Sequence, residues 1–180
     1  MVCTLQRTFV FLVCLTCMPL VSRALEVTYV GKTIVIKTSQ QTTSCIRLEN
    51  ALPVIGPFDN TARNTCSFKV VAGLAPGTIA FESLDHPEFF LQHGNFRLQL
   101  QKGLNENAIF RVVRPLSGTQ GISLQSYNFP QHHLAMVERG QLSILKDIKP
   151  RAKAVFFITE LPKDSAGSGA PKLGTSPPQN

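Results

Sequence analysis

The sequence predicts an all-β domain built from three repeated units. Two observations support this prediction: the alternation of apolar and polar residues and the internal repetition of the chain. Apolar and polar residues alternate in short runs such as 33–37, 78–82, 96–100, 121–125 and 141–145, which is the period of half-buried strands. Gly, Pro, Asn and Asp separate these runs, and no segment sustains the period of 3.6 residues that an amphipathic helix needs.

The internal repetition appears when the chain is overlaid on itself. Residues 79–91 (IAFESLDHPEFFL) match residues 122–134 (ISLQSYNFPQHHL), and residues 33–39 are a weaker copy of residues 78–84. Units of about 40–45 residues with four short strands each cannot bury an apolar face alone, but three of them can share one core. This arithmetic predicts a β-trefoil of twelve strands, with six strands in a short barrel and six capping it.

The alternating positions also predict which side chains fill the shared core. These candidates are the inward-facing apolar residues of the predicted strands: Ile36, Ile46, Phe68, Val70, Ile79, Phe81, Leu91, Leu98, Phe110, Val112, Ile122, Leu124, Leu134, Leu142, Phe156 and Ile158.

The two ends of the chain differ in composition from the middle. Residues 1–24 have a basic start at Arg7, an apolar run over residues 9–21 and small residues before Leu25, which predicts a cleaved secretory signal. The apolar run is shorter than the ~20 residues that span a bilayer, so a membrane span is not expected. Residues 163–180 are rich in Gly, Pro, Ser and Thr, which predicts a disordered tail and leaves residues 25–162 as the folded domain.

Removal of the signal would leave Cys45 and Cys66 as the cysteines of the mature chain. Two cysteines in an exported protein predict one disulfide bond, because the compartment is oxidising. A two-cysteine metal site is the less favoured alternative, since no histidine lies near either position. The adjacent pair His132 and His133 does not predict a metal site either, because neighbouring strand residues point to opposite faces. We expect no metal and no cofactor.

The second unit carries a resemblance to a known family. Residues 81–100 (FESLDHPEFFLQHGNFRLQL), followed by NAIF at 107–110, resemble the arabinose-binding domain of fungal and bacterial α-L-arabinofuranosidase B. That domain is a β-trefoil of carbohydrate-binding module family 42. The resemblance implies a secreted, lectin-like module that binds arabinofuranose or another sugar in shallow pockets, one per unit.

The resemblance also implies which residues would contact the sugar. His93 matches the motif histidine, Asn95 matches the motif asparagine, and Asn107 stands where the family has an aspartate. Tyr127 is the exposed-aromatic candidate of the third unit, whose motif histidine is missing and which has Lys153 at the aspartate place. At most one pocket is therefore expected to work.

Other roles for these residue types remain open at this point. His93 could satisfy a turn carbonyl, and the asparagines could simply form turns. Phe89, Phe90 and Phe96 are expected to pack in the core or within a hairpin rather than against a sugar.

Catalysis is not expected. Glycoside hydrolysis needs two carboxylates about 5–10 Å apart, and Asp85 and Glu88 fall in a repeat-unit turn where solvent exposure explains them. The sequence also lacks a Gly-x-Ser-x-Gly nucleophile turn.

One basic cluster supports an alternative function. Lys146, Lys149, Arg151 and Lys153 lie within eight positions of one another, and such a cluster suits an anionic surface such as a sulfated glycan. The alternative is an extracellular signalling or matrix-interaction trefoil, functionally like the fibroblast growth factors, that binds anionic glycan or a protein receptor through basic loops. Nucleic acid is not an expected partner, because aromatic and basic residues do not alternate.

Overall fold

The computed structural model describes residues 29–59 and 61–162. The predicted signal and the predicted C-terminal tail lie outside the described residues. Within these residues the structure has twelve β-strands and three 3-10 helices, and none of its helices could cross a membrane. The all-β class predicted from the alternation is therefore confirmed.

The strands fall into three quartets in chain order. The first quartet is β1 (Thr33–Thr38), β2 (Gln41–Glu49), β3 (Leu52–Pro57) and β4 (Ser67–Ala72). The second is β5 (Ile79–Ser83), β6 (Phe89–Gly94), β7 (Arg97–Lys102) and β8 (Phe110–Val113), with the 3-10 helix η1 (Glu106–Ala108) before β8. The third is β9 (Ser123–Ser126), β10 (His133–Met136), β11 (Leu142–Leu145) and β12 (Phe156–Glu160), with η2 (Glu138–Gly140) and η3 (Arg151–Ala154).

The outer strands of the quartets close into a six-stranded barrel. Antiparallel pairing runs from β12 to β1, β4, β5, β8 and β9 in that order. The bridge between Ile122 and Phe156 closes the ring. Gly121 precedes this bridge with a φ of +86°, and a Cβ there would lie 2.6 Å from the carbonyl oxygen of Phe156, so the close approach requires glycine.

The inner strands of each quartet form hairpins that cap the barrel. These hairpins are β2–β3, β6–β7 and β10–β11. Six barrel strands and six hairpin strands are the arrangement of a β-trefoil. The predicted fold is confirmed.

One apolar core lies where the three quartets meet. All but one of the predicted core residues belong to it, and Ile158, the exception, is partly buried and packs against it. The core also includes Ile34, Leu48 and Ile144, which the sequence analysis did not select. Shared burial of this kind explains why single units would not be stable alone.

Candidate functional site

Each unit contributes one short turn, between its first two strands, that lies over the 3-10 helix or turn of the preceding unit. Each turn is fixed by one main-chain hydrogen bond from its first residue to the preceding unit. The donors and acceptors are Leu84 N to Ser67 O (3.1 Å), Tyr127 N to Ile109 O (3.0 Å) and Ser39 N to Val155 O (3.0 Å). The fold therefore creates three equivalent places, each made by one unit and the turn of the next.

In the second-unit place, four polar side chains are joined by hydrogen bonds. Asn128, from the turn after β9, lies with its Oδ1 3.0 Å from Nε2 of His93 on β6. Its Nδ2 donates to Oδ1 of Asn107 in η1 at 2.7 Å, and Ser126 Oγ donates to its Oδ1 at 2.8 Å. Because an amide oxygen only accepts, the first contact needs a proton on Nε2 of His93.

Asn107 is held in position by the start of η1. Asn105 precedes this helix, and its Oδ1 accepts the main-chain N–H of Asn107 at 2.9 Å. Its Nδ2 donates at 2.7 Å to Oε1 of Gln92, which is buried on β6. A side chain that accepts the main-chain N–H two residues further on is the usual N-cap interaction. The local sequence Asn-Glu-Asn therefore fixes the main chain at Asn107.

Aromatic rings lie beside this polar network. Phe129 meets His93 edge-to-face with ring centroids 5.4 Å apart, and Phe96 meets Phe129 in the same way at 5.3 Å. His132 stacks on Phe96 at 5.2 Å. Phe96 and Phe129 are 45% and 37% exposed, so an apolar surface faces solvent next to the amides of Asn107 and Asn128. We call the set His93, Asn107, Asn128, Phe96 and Phe129 the amide–aromatic site.

The other two places differ from the amide–aromatic site. In the first unit, Leu48 is buried in the core on the strand that corresponds to β6, and a cavity of only about 10 Å³ lies near Asn64. In the third unit, β10 packs against η3 as β6 packs against η1. There Met136 and Lys153 line an open cleft of about 500 Å³.

Comparison with known proteins places this arrangement in a family. The family model described as the alpha-L-arabinofuranosidase B (ABFB) domain matches residues 34–146. The chain belongs to this family. The resemblance stated from the second unit is confirmed, and the match extends through most of the barrel.

Relatives of this ABFB domain include longer proteins named alpha-L-arabinofuranosidase B. Alpha-L-arabinofuranosidase B of Aspergillus niger is 37% identical over 75 residues, which are 38% of this chain and 15% of the relative. The probable alpha-L-arabinofuranosidase B of Aspergillus clavatus is 37% identical over 79 residues, or 41% of this chain and 15% of the relative. The chain therefore matches a small part of the length of these relatives.

Solved structures that are similar to this chain include an arabinofuranosidase and another β-trefoil. An arabinofuranosidase complexed with arabinofuranosyl-alpha-1,2-xylobiose is 26% identical, with a TM-score of 0.64 over 72% of this chain and 31% of that one. The BEL β-trefoil is 11% identical, with a TM-score of 0.59 over 73% of this chain and 94% of that one, and shows the fold alone.

The ABFB fold brings together some of the predicted site residues and separates others. His93 and Asn107 are joined through Asn128, but His93 is only 4% exposed. Asn95 is exposed in the β6–β7 turn with a φ of +50°, and no hydrogen bond within the described residues joins its side chain to the network. Tyr127 is half-buried, with the Arg111 guanidinium 5.5 Å from its ring centre.

Phe96 is 45% exposed in the β6–β7 turn, so of the two settings expected for it, the core or a hairpin, the core is wrong. Asn95 and Phe96 are the two central residues of the turn, and both have positive φ. This left-handed turn geometry rotates the Phe96 side chain out of the strand alternation that the sequence analysis assumed. Phe89 and Phe90 are half-buried on β6, which fits packing within the hairpin.

Asn128 and Phe129 were missed by the sequence analysis. Both belong to the turn segment SYNFP, residues 126–130, which the repeat had already placed in the third unit. Their role was not visible because this turn of the third unit contributes to the site formed by the second unit, not to the site of the third unit. The usable signal was the polar residue at this place of the repeated turn, Asp85 in the second unit and Asn128 in the third.

The cysteines lie side by side in a small apolar cluster with Val35 and Ala62, and the structure has both as free thiols. The hydrogen bond with Cys66 and burial raise the pKa of the Cys45 thiol, while the same hydrogen bond lowers the pKa of Cys66. The proximity suits a disulfide bond, which stays a prediction.

The four residues of the predicted basic cluster do not share one setting. Lys149 and Lys153 line the third-unit cleft, whereas Lys146 and Arg151 are exposed outside its lining. In the described ranges, no three His, Cys, Asp or Glu side chains gather in a way that could hold a metal. Burial, followed by the neighbouring His132, lowers the pKa of His133 on β10.

Proposed function

We propose that this ABFB domain is a secreted carbohydrate-binding module that binds an arabinofuranose-like, uncharged sugar at the amide–aromatic site. The observation that carries the proposal is the pairing of two fixed side-chain amides with two exposed phenylalanine rings. The arabinofuranosidase relatives and the arabinofuranosyl-xylobiose complex of a related structure support the sugar class.

The chemistry of the site suits sugar hydroxyl groups. The Nδ2 group of Asn107 is bonded to no protein acceptor among residues 29–59 and 61–162, so it is free to donate to a hydroxyl oxygen. Asn128 and Asn107 already bond to each other, which holds both amides in place before ligand arrives. A preorganised donor loses less entropy on binding than a mobile one.

The aromatic rings would supply the apolar part of the contact. Sugars present C–H groups on one face, and an exposed aromatic ring covers them while the polar groups bind hydroxyls at the edge. Phe129 touches both His93 and Phe96, so it connects the polar and apolar halves of the site. His93 is buried, and its proposed role is to position Asn128 rather than to contact the sugar.

The proposal includes no catalytic role. Three carboxylates of the second unit, those of Glu82, Asp85 and Glu88, already have partners. Glu82 accepts the main-chain N–H of Glu88 at 3.0 Å, and Glu88 forms an ion pair with Lys102 at 3.1 Å. Asp85 lies 3.5 Å from His86. These contacts support an exposed turn rather than a pair of carboxylates aimed at one bond.

Secretion, removal of residues 1–24, a disordered tail over residues 163–180 and a Cys45–Cys66 disulfide complete the proposal. They rest on the sequence features given above. The folded module would then begin near residue 25 and end near residue 162.

Titration calorimetry with methyl α-L-arabinofuranoside tests the site. We expect Asn128→Ala to weaken binding at least about tenfold, because it removes one sugar-facing amide and frees Asn107 and His93 to move. Asn107→Ala should have a similar effect. The matched control is Asn95→Gly, which keeps the positive φ of the turn and should leave affinity within about twofold.

Unchanged affinity in both Asn107→Ala and Asn128→Ala, with thermal unfolding showing intact folding, would contradict the site. Loss of affinity in Asn95→Gly alone would move the site to the tip of the β6–β7 turn. Failure of the wild-type protein to bind any uncharged glycan on an array would contradict the proposed function itself.

A further inference from the structure

The third-unit cleft is a surface cavity that the proposed function leaves unused. Its lining comes from the β10–β11 hairpin and the segment that leads into β12: Met136, Val137, Glu138, Gln141, Leu145, Asp147, Ile148, Lys149 and Lys153. Its volume of about 500 Å³ falls within the usual range of small-molecule sites.

The turn that reaches the third-unit place is shorter than the turn that covers the second-unit place. The turn that covers the second-unit place spans residues 127–132 and contributes Asn128. The turn that reaches the third-unit place is only Ser39 and Gln40, between β1 and β2. Ser39 is tied down by its N–H to Val155 O and its hydroxyl to Ala152 O, both at 3.0 Å. This short turn brings no side chain equivalent to Asn128.

The residues at the two key positions also differ from those of the amide–aromatic site. Met136 lies on β10 where β6 has His93, and Lys153 lies in η3 where η1 has Asn107. Asn107 and Lys153 are each followed by a fully buried alanine, Ala108 and Ala154, so the equivalence extends into the packing. An amide has thus been replaced by a cation at the position where a ligand would meet the third unit.

The charged groups of the cleft are not paired with one another. In the part of the chain that the structure describes, neither Lys149 nor Lys153 forms an ion pair, and neither do Glu138 and Asp147. Lys153 is half-buried, whereas the other three are exposed. The cleft therefore offers two cations, two carboxylates and the apolar side chains of Met136, Val137, Leu145 and Ile148.

We propose that this cleft binds a hexuronic acid residue of a glycan, with the sugar carboxylate against Lys153 and Lys149, an inference that rests on the proposed carbohydrate-binding function. An ammonium group binds a carboxylate through charge-assisted hydrogen bonds. Glu138 and Asp147 accept hydrogen bonds from the hydroxyls of the same ring, and the apolar side chains cover its C–H face. A single ligand of this kind uses both signs of charge in the cleft.

Two other ligand classes fit the cleft less well. A densely sulfated chain would bring several negative charges against Glu138 and Asp147, and like charges at close range repel. An uncharged sugar would leave the Lys153 ammonium without a counter-charge in a half-buried position. The mixed lining therefore favours one carboxylate on an otherwise neutral, hydroxyl-rich ring.

The test compares sugars that differ only at one carbon. Binding of methyl β-D-glucuronide and methyl β-D-galacturonide is measured by titration calorimetry against the matching uncharged methyl glucoside and galactoside. We expect at least one uronide to bind at least about tenfold more tightly than its uncharged partner, because it gains a charge-assisted contact. The two uronides distinguish which hexuronic acid the cleft prefers.

Matched variants assign the binding to the cleft. Lys153→Met keeps the apolar stem and removes the charge, so it should abolish the preference for the uronide. Lys146→Met, in the same basic segment but outside the lining, should change affinity less than about twofold. Asn128→Ala should weaken arabinofuranoside binding and leave uronide binding unchanged, which separates this inference from the proposed function.

Three outcomes would overturn the inference. These are equal affinity for uronide and uncharged sugar in the wild-type protein, an undiminished preference in Lys153→Met, and heparin binding that depends on Lys146 and Arg151 as strongly as on Lys153. In the last case the basic segment would act as a surface for polyanions, not as a cleft for one sugar.

Discussion

Replacing Phe110 with alanine is expected to lower the free energy of unfolding by about 3–5 kcal/mol, because it removes a large ring from a closely packed core. Phe110 is 1% exposed on β8, and its ring centre lies 6.0 Å from that of Phe81 on β5. It lies where β8 pairs with both β5 and β9, so the cavity would open between the second and third units. Urea unfolding followed by circular dichroism measures the change.

The matched control is Phe129→Ala, which removes the same ring from the surface. Because Phe129 is 37% exposed, its loss should cost less than about 1 kcal/mol of unfolding free energy. A Phe110→Ala cost as small as the control's would mean that the three units do not depend on a shared core. Two separate unfolding transitions would lead to the same conclusion.

The second large effect concerns the cysteine pair. We expect a Cys45–Cys66 disulfide to form when the protein is made in an oxidising compartment and to add about 3 kcal/mol to the free energy of unfolding. The bond would close a loop of about 20 residues and so restrict the unfolded chain. The measurement compares urea unfolding of the oxidised protein with and without reductant.

A double variant, Cys45→Ala with Cys66→Ala, is the control for this effect. Its unfolding should not respond to reductant, whereas that of the wild-type protein should. Two titratable thiols in wild-type protein secreted under oxidising conditions, counted after unfolding in denaturant, would contradict the predicted bond. The pair would then serve only as packing in the cluster with Val35 and Ala62.

The fold could be predicted from the sequence because its information is local and repeated. Alternation of side chains sets which face of each strand is apolar, and the repeat shows that the faces come in three sets. Two core residues that were not predicted nevertheless follow this alternation, since Ile144 lies in the run 141–145 and Leu48 lies two positions after Ile46. Leu48 and Ile144 are in the core, whereas Ile158 lies near the end of β12 and is only partly covered.

The candidate site was predicted less completely because it joins distant segments. His93 and Asn128 are 35 positions apart, and their contact depends on how the barrel places one unit against the next. Phe96 was misplaced because its φ is +65°, a conformation that costs a residue other than glycine about 1–2 kcal/mol. Sequence patterns do not predict which turn residues adopt such a conformation.

The third-unit cleft was not predictable from its own residues. Lys149 and Lys153 were recognised as part of a basic cluster, but the short turn at Ser39 and Gln40, which lies against this unit through Ala152, is more than one hundred positions away in the chain. That turn belongs to the first unit, in which residues 33–39 are the weaker copy of residues 78–84. The sequence therefore predicted the basic residues of the cleft but not the cavity that they line.

The most direct test of sugar binding at the amide–aromatic site is an NMR titration of ¹⁵N-labelled protein with methyl α-L-arabinofuranoside. The account predicts that the largest chemical-shift changes fall on the main-chain amides of Asn107, Asn128 and Phe129, with small changes in the β2–β3 hairpin. Changes centred on β2 and β3, or saturating sugar without any change near Asn128, would contradict it.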